Sequence, residues 1–313
     1  MRITNNLGTQ LSIIQVCAMS FWNEFLHKSY RVATTPFRKI TLAKMTRNHS
    51  VPVYVLYYHR VADDYLNPWT IACDDFLQQI DWMQENLDLI SLQEAQRRIR
   101  TGNDRPAVAI TFDDGYSDNS FFAMPLLIER QIPVTYFVTT YHTAHGKPFP
   151  HDVDRNEPLA PNTIESIRAL ANAGIEIGGH TRTHIDLGSG LTDEQIYDEV
   201  IAATREMESM IGTSIQYFAF PFGMKNNLDP RVFQLLHDNG FFGVCSAYGG
   251  VNEIGLDAFH LQRIHGDPNF ERLKNWLTGD SRLRRVERYR WQKQVKNLSL
   301  SENIPQEELI NSH

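Results

Sequence analysis

A chain of 313 residues with a hydrophobic fraction of 42% is long enough to fill a sizeable core, as one large α/β domain or two small ones. Its formal charge of -7, with no dense Lys/Arg stripe through the central region, argues against nucleic acid as a partner. Cys17, Cys73 and Cys245 are odd in number, far apart and in no Cys-x-x-Cys pattern, so they support neither a disulfide framework nor a thiolate zinc site, and they fit a reducing compartment.

Residues 1–50 carry seven Lys/Arg (Arg2, Lys28, Arg31, Arg38, Lys39, Lys44, Arg47) against the single acid Glu24. Leu11, Ile14, Ala18, Phe21 and Phe25 recur at helical spacing, interrupted by Ser12, Gln15, Ser20 and Asn23. The stretch is too short and too polar to span a bilayer, and no small-residue cleavage site follows it. It reads as a helical extension packed on the domain or partly disordered. The alternative is a basic amphipathic anchor in peripheral contact with an anionic membrane surface. The expected location is cytoplasmic, with membrane association as its variant.

From Val51 onward, β-branched or aromatic apolar runs alternate with amphipathic helical patterns, which predicts βα units and a parallel sheet. The strands fall at Val53 to Tyr58, weakly at Leu87 to Ser91, then at Ala107 to Phe112, Val134 to Thr139, Ile175 to Gly178, Tyr217 to Phe220, Gly243 to Ala247 and His260 to Ile264. Ser91-Leu-Gln-Glu94 and Thr192-Asp-Glu-Gln195 fit the capping-box pattern and start helices near Leu92 and Asp193. Further helices are expected over Asp74 to Glu85, Asp118 to Arg130, Thr163 to Ala173, Asp229 to Asn239 and Phe270 to Leu277. Arg282 to Lys296 is a basic run read as helical, and the polar stretch from Ser299 to His313 is read as disordered at its end. About eight strands with helices between most of them suit a closed or nearly closed β/α barrel.

His59, Asp113, Asp114, His180, the segment Pro221 to Gly223 and His265 each come directly after an apolar strand. The carboxyl ends of parallel barrel strands share one rim, so these residues are expected to converge. Asp113 and Asp114 are consecutive and face opposite ways on leaving a strand, which lets one ligate a metal while the other stays free as a base. By itself, Asp-Asp-Gly is equally ordinary turn chemistry. His180 and His184 lie four residues apart after a strand and two glycines, and one carboxylate with two imidazoles is a metal site in outline.

Thr111-Phe-Asp-Asp-Gly-Tyr116, His180-Thr-Arg-Thr-His184 and Phe218-Ala-Phe-Pro-Phe-Gly223 resemble, in this order, the first three motifs of the polysaccharide deacetylases, the NodB-homology or carbohydrate esterase family 4 proteins. The resemblance covers roughly Val51 to Leu277. It implies a distorted (β/α)7-type barrel over residues 51–280, with residues 1–50 as a helical extension and 281–313 as a basic helix and polar tail. The implied activity is hydrolytic removal of N-acetyl groups from a hexosamine-containing polysaccharide or its precursor, at carbon-nitrogen bonds other than peptide bonds. The implied cofactor is a divalent metal, Zn2+ first and Co2+ or Ni2+ as alternatives. Carried over residue by residue, Asp114, His180 and His184 resemble the metal ligands and Asp113 the general base. Phe222 resembles the donor of a backbone N–H to the oxyanion, with Pro221 and Tyr116 beside it at the substrate.

Departure of an amine also calls for a general acid, and two histidines compete for that role. The segment Val55-Leu-Tyr-Tyr-His59-Arg-Val61 resembles one in the poly-N-acetylglucosamine deacetylase branch, where the histidine serves as the acid. Arg263-Ile-His265-Gly does not reproduce the Leu-x-His pattern of the more common members, so His59 is preferred over His265. Ala219 stands where the family's third motif usually carries the arginine that orients the base, and Arg263 is expected to pair with Asp113 instead. The long loop from Tyr141 to Asn162 is read as a solvated specificity loop, with a second metal cluster at His142, His145, His151 and Asp152 as the sharper alternative. Two other classes compete: a non-catalytic carbohydrate-binding protein on a deacetylase fold, and a non-haem Fe(II) oxygenase, whose ligand set usually sits on a jelly roll.

Overall fold

The computed structural model describes residues 6–266 and 268–302, with side chains described over 22–266 and 268–296. The side chains of Leu11, Ile14, Ala18 and Phe21, and the polar tail beyond residue 302, lie outside that description. The parallel sheet is built from β1 Val53–Tyr58, β2 Asp88–Leu89, β3 Ala107–Phe112, β4 Val134–Val138, β5 Glu176–Gly179, β6 Tyr217–Ala219, β7 Gly243–Cys245, β8 His260–Leu261 and β9 Ile264–His265. Their order is β8-β7-β6-β5-β4-β3-β1-β9, with β2 paired alongside the start of β3. A two-stranded parallel ribbon, Arg60–Val61 with Thr70–Ile71, follows β1 and was not legible from the sequence.

β3 is buried at every position, as expected of an apolar run covered on both faces of a parallel sheet. Alternation along β1 and β3 sorts their side chains into two sets. Tyr54, Leu56, Tyr58, Val108, Ile110 and Phe112 join the large core under the surrounding helices, while Val53, Val55, Ala107 and Ala109 pack with Phe137, Tyr217, Ala219 and Cys245. Continuing the second file along each strand leads to Tyr57 and His59 on β1, and to Thr111 and Asp113 on β3. The interior file therefore ends in the chemistry.

Only Gln262 and Arg263 separate β8 from β9, yet β8 pairs with β7 at one edge of the sheet and β9 with β1 at the other. Those two residues carry the chain across the gap, so the curled sheet becomes a distorted β/α barrel. The Thr192 capping box is complete. The Ser91 box is half made: Ser91 accepts from the Glu94 amide, but the Glu94 carboxylate is taken by Arg97 and Arg98.

Ahead of the barrel, α1 (Asn6–Arg47) is a single long helix lying on the helix Phe270–Leu277. Arg31 ion-pairs with Glu271 at 2.6 Å, and Arg38 Nη1 donates to the Asn275 carbonyl at 2.7 Å. The basic run from Arg282 departs from expectation, because helix begins only at Trp291 after a short 3-10 turn at Leu283–Arg285. Its arginines are drawn into tertiary bonds instead: Arg282 to Asp280, Arg284 to Glu253 and Arg288 to the His260 and Asp257 carbonyls.

Candidate active site

Asp113 leaves β3 with its backbone N–H donating to the Tyr58 carbonyl of β1 at 2.8 Å, which fixes where the carboxylate points. Arg263 grips it in a bidentate fork, Nη1 to Oδ1 at 2.6 Å and Nη2 to Oδ2 at 2.8 Å. The guanidinium is itself fully buried and donates to the Ser246 carbonyl at 2.9 Å and the Thr111 hydroxyl at 3.0 Å. The ion pair expected between Arg263 and Asp113 is thus present, and the small Ala219 is buried in the interior cluster. Burial pushes the Asp113 carboxyl up, but the Arg263 charge outweighs it and, with His180, holds the group below its ordinary range.

Asp114 turns the other way. Its Oδ1 lies 3.3 Å from His180 Nε2 and 3.2 Å from His184 Nε2, and one donor atom from each of the three residues lies within 4.8 Å of the others. His180 Nδ1 is 2.8 Å from the Ala219 carbonyl. A carbonyl only accepts, so Nδ1 carries a proton and Nε2 is the ring atom that faces Asp114. Asp114 Oδ1 is buried without a hydrogen-bond partner, an arrangement that costs free energy unless something positive lies among the three groups. A buried carboxylate oxygen with two imidazole nitrogens is a donor set that fits a divalent cation of the zinc type. Burial raises the Asp114 carboxyl, yet the facing imidazoles, His184 first, hold it well below its usual value.

The backbone around these groups is strained in a consistent way. Asp114, Thr181, His184 and Phe222 all have φ between 61° and 73°, a region that side-chain-bearing residues seldom occupy. Three of the four are held by identifiable contacts. The Asp114 carbonyl accepts from the Thr139 hydroxyl at 2.9 Å, and the His184 amide donates to the Thr181 hydroxyl at 2.9 Å. Glu199 was missed in the sequence: its carboxylate accepts from the amides of Arg182 and Thr183 at 3.0 and 2.9 Å and from the Thr183 hydroxyl at 2.8 Å, tying down the turn between the two histidines. It stands on a π-helical turn, Asp198–Ala202, a local irregularity common at functional sites. The available signal was an acid between the apolar positions Ile196, Val200 and Ile201.

The loop after His184 meets the 3-10 turn Lys225–Asn227, which directly follows the Pro221 to Gly223 loop, at Gly188, where a Cβ would lie 2.0 Å from the Asn226 carbonyl oxygen and 2.8 Å from the Asn227 Cα. Backbone cannot yield as a side chain does. Gly188→Ala is expected to destabilise the protein by about 1–3 kcal/mol or more in urea denaturation, and to lower activity by pulling His184 away from Phe222. An unchanged midpoint would show that the two loops part freely.

His59 and His265 sit side by side on the rim, with ring centroids 6.2 Å apart and Tyr57 against both at 5.5 and 5.2 Å. His59 Nδ1 is buried without a partner, and burial lowers the proton affinity of the ring despite the opposing pull of Asp114 and Asp113. The Phe222 side chain is exposed, its ring 5.0 Å from that of His184, and Pro221 is buried beneath it. Tyr116 is fully buried, and its hydroxyl is committed to the Asp152 carboxylate at 2.9 Å, with His151 Nε2 at 3.1 Å.

The loop containing those partners is exposed along about half of its length, as expected of a solvated loop, but it is anchored by packing that the sequence did not announce. It folds into short helices at Thr140–His145 and Pro150–Asp154, and Phe149 is buried with Tyr116 and Leu159 in a small core of its own. Its histidines do not form one cluster of metal donors among the described residues: His142 binds the Lys147 carbonyl and stacks on Phe149, His145 lies against Tyr141, and His151 leans on Trp69. Among the described residues, the metal-type cluster is Asp114 with His180 and His184.

Residues 100–241 match the family model described as polysaccharide deacetylase. YxkH of Bacillus subtilis (strain 168), assigned to the polysaccharide deacetylases, is 26% identical over 216 residues, covering 67% of this chain and 70% of that protein. A chitooligosaccharide deacetylase of Sinorhizobium fredii is 29% identical over 129 residues, 40% of this chain and 51% of its own length. Among solved structures, IcaB from Ammonifex degensii superposes with a TM-score of 0.60 at 24% identity, over 73% of this chain and 97% of its own. The Streptococcus pyogenes deacetylase PplD, solved with acetate, does so with a TM-score of 0.60 at 20% identity, over 72% and 98%. At these identities the structural likeness speaks for the fold. The domain assignment comes from the matched model and the sequence relatives, with the three motifs at one barrel rim in agreement: the chain carries a polysaccharide deacetylase domain of the NodB-homology class.

Proposed function

We propose that this protein is a divalent-metal-dependent N-deacetylase of a hexosamine-containing glycan, and that Asp114, His180 and His184 hold the cation. The observation that carries this reading is the buried, unpartnered Asp114 Oδ1 facing two imidazole nitrogens, one residue from a second carboxylate held ionised by Arg263. When bound, such a cation supplies a Lewis acid for the amide carbonyl and acidifies the attacking water. Asp113 takes the proton from that water as its oxygen bonds to the acetyl carbon. The Phe222 amide, on the rim beside His184, donates to the developing oxyanion. His59 gives a proton to the departing nitrogen as the carbon-nitrogen bond breaks, releasing acetate and a free amine. Burial lowers the proton affinity of His59, which eases transfer of that proton to the amine.

Acetate release from a panel of defined N-acetylglucosamine oligomers by the zinc-loaded protein tests the reading. Release is expected, and its absence on every acetylated glycan would leave a non-catalytic carbohydrate-binding protein. The same assay assigns the acid: His59→Ala is expected to lose about 10²–10⁴-fold in kcat and His265→Ala much less. The reverse order would move the role to His265.

A further inference from the structure

The long helix α1 is amphipathic in the inverted sense. Its polar face is turned toward the protein, where Arg31 meets Glu271 and Arg38 meets Asn275 and Thr278. Its apolar face looks outward. Trp22, Phe25, Leu26, Val32, Phe37 and Ile40 are 52–70% exposed. Their i, i+3, i+4 spacing places them on one stripe about five turns long. Scattered exposed apolar residues need no explanation, but a continuous stripe of aromatic and branched side chains in water does.

Charge indicates what covers it. Lys28 and Lys39 flank the stripe, Lys44 and Arg47 follow Ile40 at i+4 and i+7, and all four are exposed. Glu24 is the helix's single acid, in a chain whose formal charge is -7. A second copy of the helix would bring these cations against one another. An anionic lipid surface meets both demands, taking the apolar stripe below its headgroups and the cations at their level. Among the described residues, no helix is long and apolar enough to cross a membrane. We infer that α1 docks the protein in the plane of an anionic membrane surface through this outward stripe. This inference does not depend on the hydrolytic reading of the rim.

Flotation of the full chain with phosphatidylcholine vesicles, with and without phosphatidylglycerol, tests it. The protein is expected to float with the phosphatidylglycerol vesicles and to be released by high salt. The combined variant Phe25→Ser, Val32→Ser and Ile40→Ser is expected to keep the wild-type melting curve and to partition at least about tenfold more weakly. Lys28→Glu with Lys39→Glu leaves the apolar stripe intact and is expected to lose binding to the anionic vesicles, which keeps the test decisive if the serine variant does not fold. Three results would overturn the inference: wild-type protein that stays with neither vesicle, partition unaffected by both variants, or a dimer by light scattering that the serine variant converts to monomer.

Discussion

Asp114→Ala is expected to abolish stoichiometric binding of divalent metal and to cut glycan deacetylation roughly a thousandfold or more, since even a group that merely supports a metal ligand is worth about 10–100-fold. The substitution removes the one carboxylate that faces both His180 and His184 and leaves two imidazoles at neighbouring positions with no anion between them. Fold is expected to survive. The strained φ of 73° at Asp114 is imposed by its neighbours, and the variant no longer buries an unpartnered oxygen. Elemental analysis of dialysed protein, together with activity before and after chelation and zinc readdition, checks the result. A variant that keeps its metal would remove Asp114 from the ligand set, and a wild type indifferent to chelation would remove the metal from the mechanism.

Arg263→Met is expected to act on stability, on pH dependence and on rate together. Without the guanidinium, Asp113 is a buried carboxylate that has lost its paired cation, a loss of about 3–5 kcal/mol for a broken buried pair. The sign follows from the direction of the shift. Asp113 lies below its unfolded value in the wild type, so its contribution is present above about pH 4 and is lost as pH falls through the lower folded value. In the variant, burial is opposed only by His180 and His59 and the group rises, so the acid limb of the rate profile moves up by about one pH unit. Urea denaturation at pH 5 and 8 and a kcat/KM profile measure both effects. Arg263→Lys, which keeps the charge but loses the fork, is expected to recover part of each. An acid limb that stays in place in a folded Arg263→Met protein would assign the pair to structure alone.

The sequence was most legible where local and global signals coincide. β1, β3 and the helix Phe270–Leu277 fall on the expected residues because their apolar runs are bounded by sharp breaks, and the strand-end position of Asp113, Asp114, His180 and His265 follows from parallel topology alone. Even the Arg263–Asp113 pair was accessible, since Ala219 left the base in need of a cation and Arg263 comes off a strand at the same rim. Three features required tertiary information. Phe149 and Tyr116 make a small core that no periodicity announces and that anchors the otherwise largely exposed 141–162 loop. Glu199 acts through backbone amides sixteen and seventeen residues away. The outward stripe of α1 could not be read because hydrophobic spacing tells which residues share a face, not which face meets the protein.

The crossing at Gln262 and Arg263 also imposes an order on events. The residue that holds Asp113 is the residue that joins the two edges of the barrel, and it comes after every other residue brought to this rim except His265. During synthesis Asp113, Asp114, His180 and His184 emerge well before anything can hold Asp113 in place. A chain truncated ahead of residue 263, or nicked and stripped of its last segment, keeps those four residues in its sequence but has neither a closed sheet nor a restrained Asp113. On the proposed reading, hydrolysis is thereby tied to completion of the barrel, and an unfinished chain carries the site's parts without that chemistry.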